Sequence, residues 1–160
     1  MAEKRKPLTR PEMMARIRSA NTGPEMLVRK GLHSAGFRFR LHVRELPGTP
    51  DIVFPKFRCA VFVHGCFWHG HLGCKNYRLP KTRSEFWASK VENNRARDQR
   101  NIHSLAETGW RVLIVWECAT KAISLDGLVR TIAEVLQGTE SLSEIGTFGS
   151  RTVIEHTDIS

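Results

Sequence analysis

The sequence predicts a single α/β domain built on a mixed β-sheet. Short apolar runs typical of strands alternate with longer amphipathic stretches typical of helices, in the order helix, helix, three strands, loop, long helix, strand, helix. At 160 residues the chain is long enough to bury a core without disulfides. It has neither an apolar run near the ~18 residues of a membrane span nor the apolar segment of a signal peptide, so we expect a cytoplasmic protein without membrane contact.

The chain carries a strong excess of positive charge. Twenty-five Lys and Arg residues stand against sixteen Asp and Glu, which gives a formal net charge of +9. Such a surface suits a polyanion, most simply a nucleic acid; the alternative is a solvated basic surface without such a partner. The four cysteines, in a reducing compartment, favour metal ligation over disulfides.

The N-terminal segment predicts two helices. Residues 1–8 are polar and basic and are interpreted as a mobile arm. A capping box at Thr9 opens a short basic helix, whose periodicity favours Met14 as a core residue over a soft probe against a ligand. A second capping box at Thr22 opens a helix in which Glu25 either satisfies the backbone of Thr22 or borders the buried stripe.

Three strands are predicted next. Residues 37–43 alternate apolar and basic side chains, as a half-buried strand does. After a turn rich in Pro and Gly, residues 52–54 and 59–63 predict a hairpin in which paired residue numbers sum to roughly 113. This register places Asp51 opposite Phe62 and its neighbours, where the third strand ends.

The second half of the chain predicts a long helix, a central strand and a last helix. A capping box at Thr82 opens the long helix, which runs to about residue 108. Asp98 falls on its buried stripe and therefore needs a partner, either an arginine or a histidine. Residues 111–116 form the nearly continuous apolar run typical of a central strand, and residues 125–136 form the last helix.

The polarity of the two ends sets the expected domain boundaries. The arm covers residues 1–8, and one domain covers residues 9–137. Residues 138–160 are a polar tail, rich in Gly, Ser and Thr, in which no motif indicates a structure.

The loop over residues 64–74 concentrates the metal-binding chemistry. It holds three histidines, two cysteines and two large aromatics, a mixture that a core does not need. With a cysteine at the mouth of the central strand it supplies a four-ligand set typical of structural Zn²⁺: Cys66, His71, Cys74 and Cys118. The alternative is a set of reduced core cysteines. Cys59 lies roughly 23 Å from Cys66 along an extended strand, so we expect it to be a buried thiol outside the cluster.

A filled zinc site has no open position for catalysis, so the remaining acids and histidines are the candidates for chemistry. A carboxylate at a strand mouth with a second acid and a backbone carbonyl suits Mg²⁺, and a histidine suits deprotonation of water. The candidates are Asp51, Glu25, Asp98, His64 and His69. Together they predict phosphodiester hydrolysis, and the adjacent Phe67 and Trp68 indicate a wedge or a stacking surface.

Five segments of the sequence resemble the very short patch repair endonucleases, over a stretch from about residue 9 to residue 118. They are Pro50-Asp51, the strand 59–63, His64 to His69, Thr82 to Trp87, and Gly109 to Cys118. The resemblance implies a restriction-endonuclease-like core, a central mixed β-sheet flanked by helices, with an added N-terminal helix and a structural zinc. It also implies Mg²⁺-dependent nicking of duplex DNA 5′ to the thymine of a T·G mismatch, the product of 5-methylcytosine deamination.

The resemblance also implies roles for individual residues. Asp51 and the backbone carbonyl of Val63 match the Mg²⁺ ligands, and Glu25 matches a residue of the outer metal shell. His69 matches the general base, and Asp98 matches the residue that orients it. His64 matches a residue that assists at the phosphate. The zinc ligands match Cys66, His71, Cys74 and Cys118. Phe67, Trp68 and Met14 match the intercalating residues. The resemblance therefore favours Met14 as a residue that enters the minor groove over Met14 as a core residue.

One difference from the wider nuclease superfamily favours the very short patch group. In the wider nuclease superfamily a second metal acid and a lysine would lie near residues 62–64, where Phe62, Val63 and His64 stand instead, and the very short patch group shares that substitution. The expected partner is duplex DNA with a T·G mismatch, with other mismatch-repair proteins as further candidates. We expect a monomer of bacterial intracellular type, located at the nucleoid through DNA. The rival interpretations are a restriction-type endonuclease that cuts intact duplex and a non-catalytic, zinc-stabilised DNA-binding module.

Overall fold

The computed structural model describes residues 20–147 and the backbone of residues 151–153. The predicted arm 1–8, the predicted helix that starts at Thr9, and Met14 all lie outside the described residues.

Within the described residues, six strands form one sheet in the order β1-β2-β3-β4-β5-β6. The elements in chain order are α1 (Gly23–Ser34), β1 (Arg40–Leu41), β2 (Ile52–Phe54), a short 3-10 helix (Pro55–Phe57), β3 (Cys59–His64), α2 (Ser84–Glu107), β4 (Arg111–Trp116), α3 (Glu117–Ala122), α4 (Leu125–Gln137), β5 (Leu142–Ile145) and β6 (Arg151–Val153). Strands β3, β4 and β5 run parallel and the other pairs antiparallel. The mixed sheet with flanking helices confirms the predicted α/β class and is consistent with a restriction-endonuclease-like core.

The hairpin of β2 and β3 has the predicted register. Ile52 pairs with Val61, and Phe54 pairs with Cys59, so paired residue numbers sum to 113. The connection turns at Arg58, whose φ of 45° lies in the left-handed region. The pairing carries Asp51 to the far end of β3, where its side chain meets the backbone of Val63.

Strand β1 is much shorter than the predicted strand over residues 37–43. Phe37 and Phe39 do pack edge-on against Phe54, at centroid distances of 5.9 and 5.8 Å, as their alternation predicts. Leu41, however, is 37% exposed, and His42 has a φ of 46°, which ends the extended backbone. The prediction was wrong about length because alternation detects an apolar face but not a left-handed residue.

Strand β4 is the central strand, covered on both faces as predicted. Leu113 belongs to a buried cluster with Leu32 of α1 and Ile132 of α4. On the opposite face Ile114 belongs to a second cluster with Leu105 of α2. Each fully buried side chain of this size stabilises the fold by roughly 1.5–3 kcal/mol, so the two layers hold the sheet between the helices.

Helix α2 is the longest element, and its predicted start was displaced by one residue. Arg83, with a φ of 55°, is the N-cap residue and has no side-chain capping bond, so Thr82 does not open a capping box. The helix is largely exposed, and only Val91 and Leu105 are buried. Among the described helices, none combines the length and the apolar character that crossing a membrane requires.

Strand β5 was not predicted from the sequence. It lies in the segment after residue 137 and pairs in parallel with β4, with Leu142 opposite Val112. Only Ser143 and Ile145 of its four residues are buried, so the segment lacks the apolar run that marks β4. The segment is a strand because it pairs with β4. That pairing joins residues far apart in the sequence, so no local pattern predicts it.

A paired substitution on α1 tests which face of the helix supports the sheet. Leu32→Ala removes a fully buried side chain and should lower the free energy of unfolding by about 2–5 kcal/mol, measured by urea denaturation. Leu27→Ala, on the same helix but 37% exposed, is the matched control and should change it by less than about 1 kcal/mol. Equal effects of the two substitutions would contradict this packing.

Candidate active site and metal centre

An open cleft of about 1080 Å³ lies at the sheet edge where β3 and β4 end. Because β2 runs antiparallel to β3, the residue before β2 lies beside the residues that end β3. The side chains of Asp51, His64, His69 and Asp98 all line this cleft. Residues that are far apart in sequence therefore share one concave surface.

Asp51 is held by a backbone bond from the neighbouring strand. The Val63 N–H donates to Asp51 Oδ2 at 2.8 Å. Burial, and to a smaller extent the charge of Glu25, raise the pKa of Asp51 to about 6 against the lowering effect of the Val63 bond. A carboxylate in this environment is stabilised by any cation that enters the cleft.

Two histidines and a carboxylate form a stacked, hydrogen-bonded group beside Asp51. The His69 Nδ1 lies 2.5 Å from Asp98 Oδ2, and the His64 ring stacks on the His69 ring at 3.7 Å with a tilt of 6°. Burial acts to raise the pKa of Asp98, but the hydrogen bond and charge of His69, together with Arg97, hold it below its ordinary value. An ionised carboxylate only accepts, so Nδ1 carries the proton and Nε2 is the basic nitrogen of His69.

His64 is neutral in this arrangement. Burial, and after it the neighbouring charge of His69, lower its pKa to about 3. His64 would have to carry its charge inside the protein to take up a proton, so it is poorly suited to act as a base.

Glu25 is buried and lies at the centre of a third group. Its side chain is 2% exposed, its Oε2 accepts from Asn21 N at 2.8 Å, and its Oε1 lies 2.7 Å from His42 Nε2 and 3.4 Å from Arg29 Nη1. Thr22 Oγ1 does accept from Glu25 N, at 3.4 Å. The carboxylate, however, bonds the backbone of Asn21 rather than that of Thr22, so Glu25 is not merely a helix cap.

The sequence reasoning missed His42. Strand β1 pairs with β2 so that Leu41 lies opposite Ile52, and the next step of that ladder brings His42 beside Asp51. The bond from His42 N to Asp51 O, at 3.2 Å, continues this pairing. A predicted register for β1 and β2, like the one for β2 and β3, could have found it.

The structure assembles the predicted four-ligand set. One donor atom from each of the four side chains lies within 4.8 Å of every other, in the cluster Cys66, His71, Cys74 and Cys118. The Cys118 Sγ and His71 Nδ1 are 3.5 Å apart, close to the edge of about 3.5 Å expected in a tetrahedron with Zn–S near 2.3 Å and Zn–N near 2.05 Å. The donor set and spacing fit a metal ion with soft ligands. Cys59 lies outside the cluster in the core, where burial raises its pKa to about 11.

Trp116 lies between the metal cluster and the cleft. Its ring stacks on His71 at 4.0 Å with a tilt of 2° and meets the His64 ring edge-on at 5.4 Å. Its Nε1 donates to Glu144 Oε2 of β5 at 3.2 Å, which fixes the rotation of the indole. One aromatic ring therefore contacts a residue of each site.

Phe67 and Trp68 belong to an aromatic cluster beside the cleft. Their rings meet edge-on at 5.2 Å, and each also contacts Trp87 of α2, at 5.8 and 6.0 Å. The sequence did not indicate that Trp87 lies beside Phe67 and Trp68. Asn94 Nδ2 donates to Trp68 O at 3.0 Å, which ties the loop to the same helix.

Close backbone packing at Gly70 also holds the loop against α2. Gly70 has a φ of 62°, and a Cβ there would lie 2.7 Å from Arg95 Cδ and 2.8 Å from Val91 Cγ1. Only glycine allows the loop to approach α2 this closely.

The structure thus sorts the predicted site residues into three places. The cleft holds Asp51, Val63, His64, His69 and Asp98, and Glu25 lies behind it. The metal cluster and the aromatic cluster adjoin it, and Met14 lies outside the described residues.

The chain is similar to known proteins over most of its length. Residues 2–76 match the family described as DNA mismatch endonuclease Vsr. The type II nicking enzyme V.XorIIP of Xanthomonas oryzae pv. oryzae is 52% identical over 135 residues, covering 84% of this chain and 98% of that protein. The DNA mismatch endonuclease Vsr of Escherichia coli is 40% identical over 152 residues, covering 93% and 97%. The chain belongs to the Vsr family of DNA endonucleases.

Vsr membership confirms the resemblance seen in the sequence motifs, and DNA is the substrate class of this family. The type II nicking enzyme V.NmeAIP of Neisseria meningitidis is also similar, at 42% identity over 125 residues, 77% of this chain and 89% of that protein. In this Vsr-family chain the titratable groups lie together in an open cleft at the edge of the core sheet.

The raised pKa of Asp51 makes a prediction about stability. The folded protein binds this proton more tightly than the unfolded chain, so ionisation of Asp51 opposes folding, and the loss accumulates as pH rises from about 4 to about 6. Asp51→Asn carries no charge, and its amide oxygen can still accept from Val63. Without added divalent cations it should exceed the wild type in unfolding free energy by about 1–3 kcal/mol above pH 6, and by little near pH 4.

Urea denaturation between pH 4 and pH 8 measures this difference. Asp126→Asn, an exposed carboxylate in α4, is the matched control and should show no comparable gain. Equal stability of the Asp51→Asn variant and the wild type at pH 7–8 would show that burial of this carboxylate carries no cost.

Proposed function

We propose that this protein nicks duplex DNA 5′ to the thymine of a T·G mismatch by Mg²⁺-dependent hydrolysis, in repair of deaminated 5-methylcytosine. The observation that carries the proposal is the meeting of Asp51 with the His69–Asp98 pair in one open cleft. A cation ligand and an oriented base are together what phosphodiester hydrolysis requires. The names of the relatives, a mismatch endonuclease and two nicking enzymes, support the same reaction.

Asp51 and the backbone carbonyl of Val63 would hold Mg²⁺, with Glu25 in the outer shell. Hard oxygen donors are the ligands that Mg²⁺ prefers, and both residues line the cleft. Bound there, Mg²⁺ supplies Lewis acidity at the scissile phosphate and offsets the charge that develops on its oxygens.

His69 acts as the general base in this proposal. Its Nε2 accepts a proton from water as the water oxygen attacks phosphorus and the P–O bond to the leaving strand end breaks. Asp98 holds the proton on Nδ1 and stabilises the imidazolium that forms, as carboxylates do in other oriented His pairs. Neutral His64, stacked on His69, is placed to hydrogen-bond the phosphate without adding charge.

The cysteine and histidine cluster is proposed to hold a structural Zn²⁺. Phe67 and Trp68 lie in the loop between its ligands Cys66 and His71, so the ion fixes their position relative to His69. Inserting aromatic rings between stacked bases costs a few kcal/mol per base step. The cost is lowest at a base pair that is already weakened, so the insertion favours mismatches. Met14, on the motif resemblance alone, is proposed to enter the minor groove.

The cellular setting follows from the substrate. We propose a monomer that acts inside the cell on mismatched duplex DNA at the nucleoid. Other mismatch-repair proteins are candidate partners.

A nicking assay tests the reaction. Duplexes that differ only in one T·G or T·A pair are incubated with the protein, with and without Mg²⁺, and strand-labelled products are resolved on denaturing gels. We expect a Mg²⁺-dependent nick on the thymine strand of the T·G duplex alone. His69→Gln should slow it by about 10²–10⁴-fold, the usual contribution of a general base, and Asp51→Asn should abolish it without loss of DNA binding.

The controls and outcomes separate the alternatives. Asp126→Asn should nick at the wild-type rate. Cutting of both duplexes would favour a restriction-type enzyme, and tight binding with no cutting of either would favour a binding module.

Metal analysis tests the zinc proposal. Purified wild-type protein and Cys59→Ala should each contain one zinc per chain by mass spectrometry, because Cys59 lies outside the cluster. Cys66→Ala should lose the zinc and much of the stability. Zinc retained in Cys66→Ala, or absent from the wild type, would count against the proposed ligand set.

A further inference from the structure

The side chains of Glu25, His42 and Asp51 form a group that the proposed reaction does not fully use. One donor atom of each lies within 4.8 Å of the other two. The His42 Nε2 and Glu25 Oε1 are 2.7 Å apart, close to the separation of about 3 Å for two adjacent ligands of an octahedral cation at ~2.1 Å. The three donors are two carboxylates and one imidazole nitrogen.

The charges of this group favour a cation. Two carboxylates lie together, and one of them, Glu25, is almost wholly buried. Arg29 reaches Glu25 at 3.4 Å and offsets one of the two negative charges. A buried like-charge pair of this kind is costly unless a counter-charge is bound.

His42 is held in an unusual backbone conformation. Its φ of 46° is in the left-handed region, which costs a non-glycine residue about 1–2 kcal/mol. Its N–H bonds Asp51 O at 3.2 Å, so the residue is anchored to the strand that carries Asp51. Such strain is concentrated at functional sites, where the surroundings hold it in place.

The donor set also selects among cations. Mg²⁺ prefers oxygen ligands and an all-oxygen octahedron. Imidazole nitrogen suits first-row transition ions better, and their affinity for mixed N and O sites rises from Mn²⁺ onward. A nitrogen in this group therefore shifts its preference away from Mg²⁺.

We propose that Glu25, His42 and Asp51 form a divalent cation position that binds Mn²⁺ more tightly than Mg²⁺, with His42 Nε2 as a direct ligand. The position shares Asp51 with the Mg²⁺ site, and in that respect the inference rests on the proposed function. His42 thereby strengthens the binding of Mn²⁺ beyond what the oxygen ligands alone would give.

Pulsed electron paramagnetic resonance of Mn²⁺ bound to the full, zinc-containing protein tests this directly, since Zn²⁺ is silent in the measurement. We expect a bound Mn²⁺ with a ¹⁴N coupling typical of a directly bound imidazole. His42→Asn should remove that coupling and weaken Mn²⁺ binding by about tenfold or more, with little change in Mg²⁺ binding measured by competition. Asparagine is chosen because it tolerates the left-handed conformation.

His69→Gln is the matched control, since His69 lines the same cleft, and it should keep the nitrogen coupling. Should His42→Asn fail to fold, wild-type and His69→Gln proteins labelled with ¹⁵N-histidine are compared, because a histidine ligand replaces the ¹⁴N pattern by a ¹⁵N one and a pattern that persists in His69→Gln excludes His69 as that ligand. A coupling that survives in folded His42→Asn, or no coupling in the wild type, would overturn the proposal and leave His42 as a hydrogen-bond partner of Glu25.

The measurement is independent of catalysis. Nitrogen-coupled Mn²⁺ in a protein that does not nick T·G duplexes would refute the proposed function and not this site. Mg²⁺-dependent nicking without a nitrogen coupling would refute this site and not the function.

Discussion

The parallel pairing of β3 with β4 is the constraint on which the rest of the site depends. The ladder runs from Cys59 opposite Arg111 to His64 opposite Trp116, a constant offset of 52 residues. Cys66 and Cys118 differ by the same offset and lie just beyond the ends of the two strands. The ladder therefore brings two halves of the metal cluster to the edge where the catalytic candidates also lie.

Contacts between rings then join the metal cluster to the cleft. Trp116 touches His71 on one side and His64 on the other, while a hydrogen bond to Glu144 fixes its orientation. Packed aromatic surfaces and satisfied polar groups have few alternative arrangements. Movement of the cluster would be transmitted to the histidine stack, which suits a protein whose proposed wedge and proposed base must keep one relative position.

Two aspartates in one cleft have opposite electrostatic environments. Burial raises the pKa of Asp51, whereas the hydrogen bond and charge of His69, with Arg97, hold the pKa of Asp98 below its ordinary value against the raising effect of burial. The same side chain is thus suited to two roles, the first to receive a cation and the second to hold an imidazole. The destabilising environment of Asp51 is the kind of local cost that functional sites carry.

The sequence by itself determined the features that depend on local patterns. The hairpin register of β2 and β3, the continuous apolar run of β4 and the spacing of Cys66, His71 and Cys74 all follow from neighbouring residues. Side-chain type and short spacing also identified Asp51, His69 and Asp98 as candidates, because charge on a buried stripe or at a strand mouth needs a chemical reason.

Only the tertiary structure decided the features that depend on contacts between distant segments or on a single backbone angle. Strand β5 exists because β4 pairs with it, and Trp87 joins the aromatic cluster because the loop after β3 packs on α2. The early end of β1 and the place of His42 beside Glu25 both follow from one left-handed residue. No periodicity marks such a residue, since its conformation is held by the strand and the carboxylate that surround it and not by its sequence neighbours.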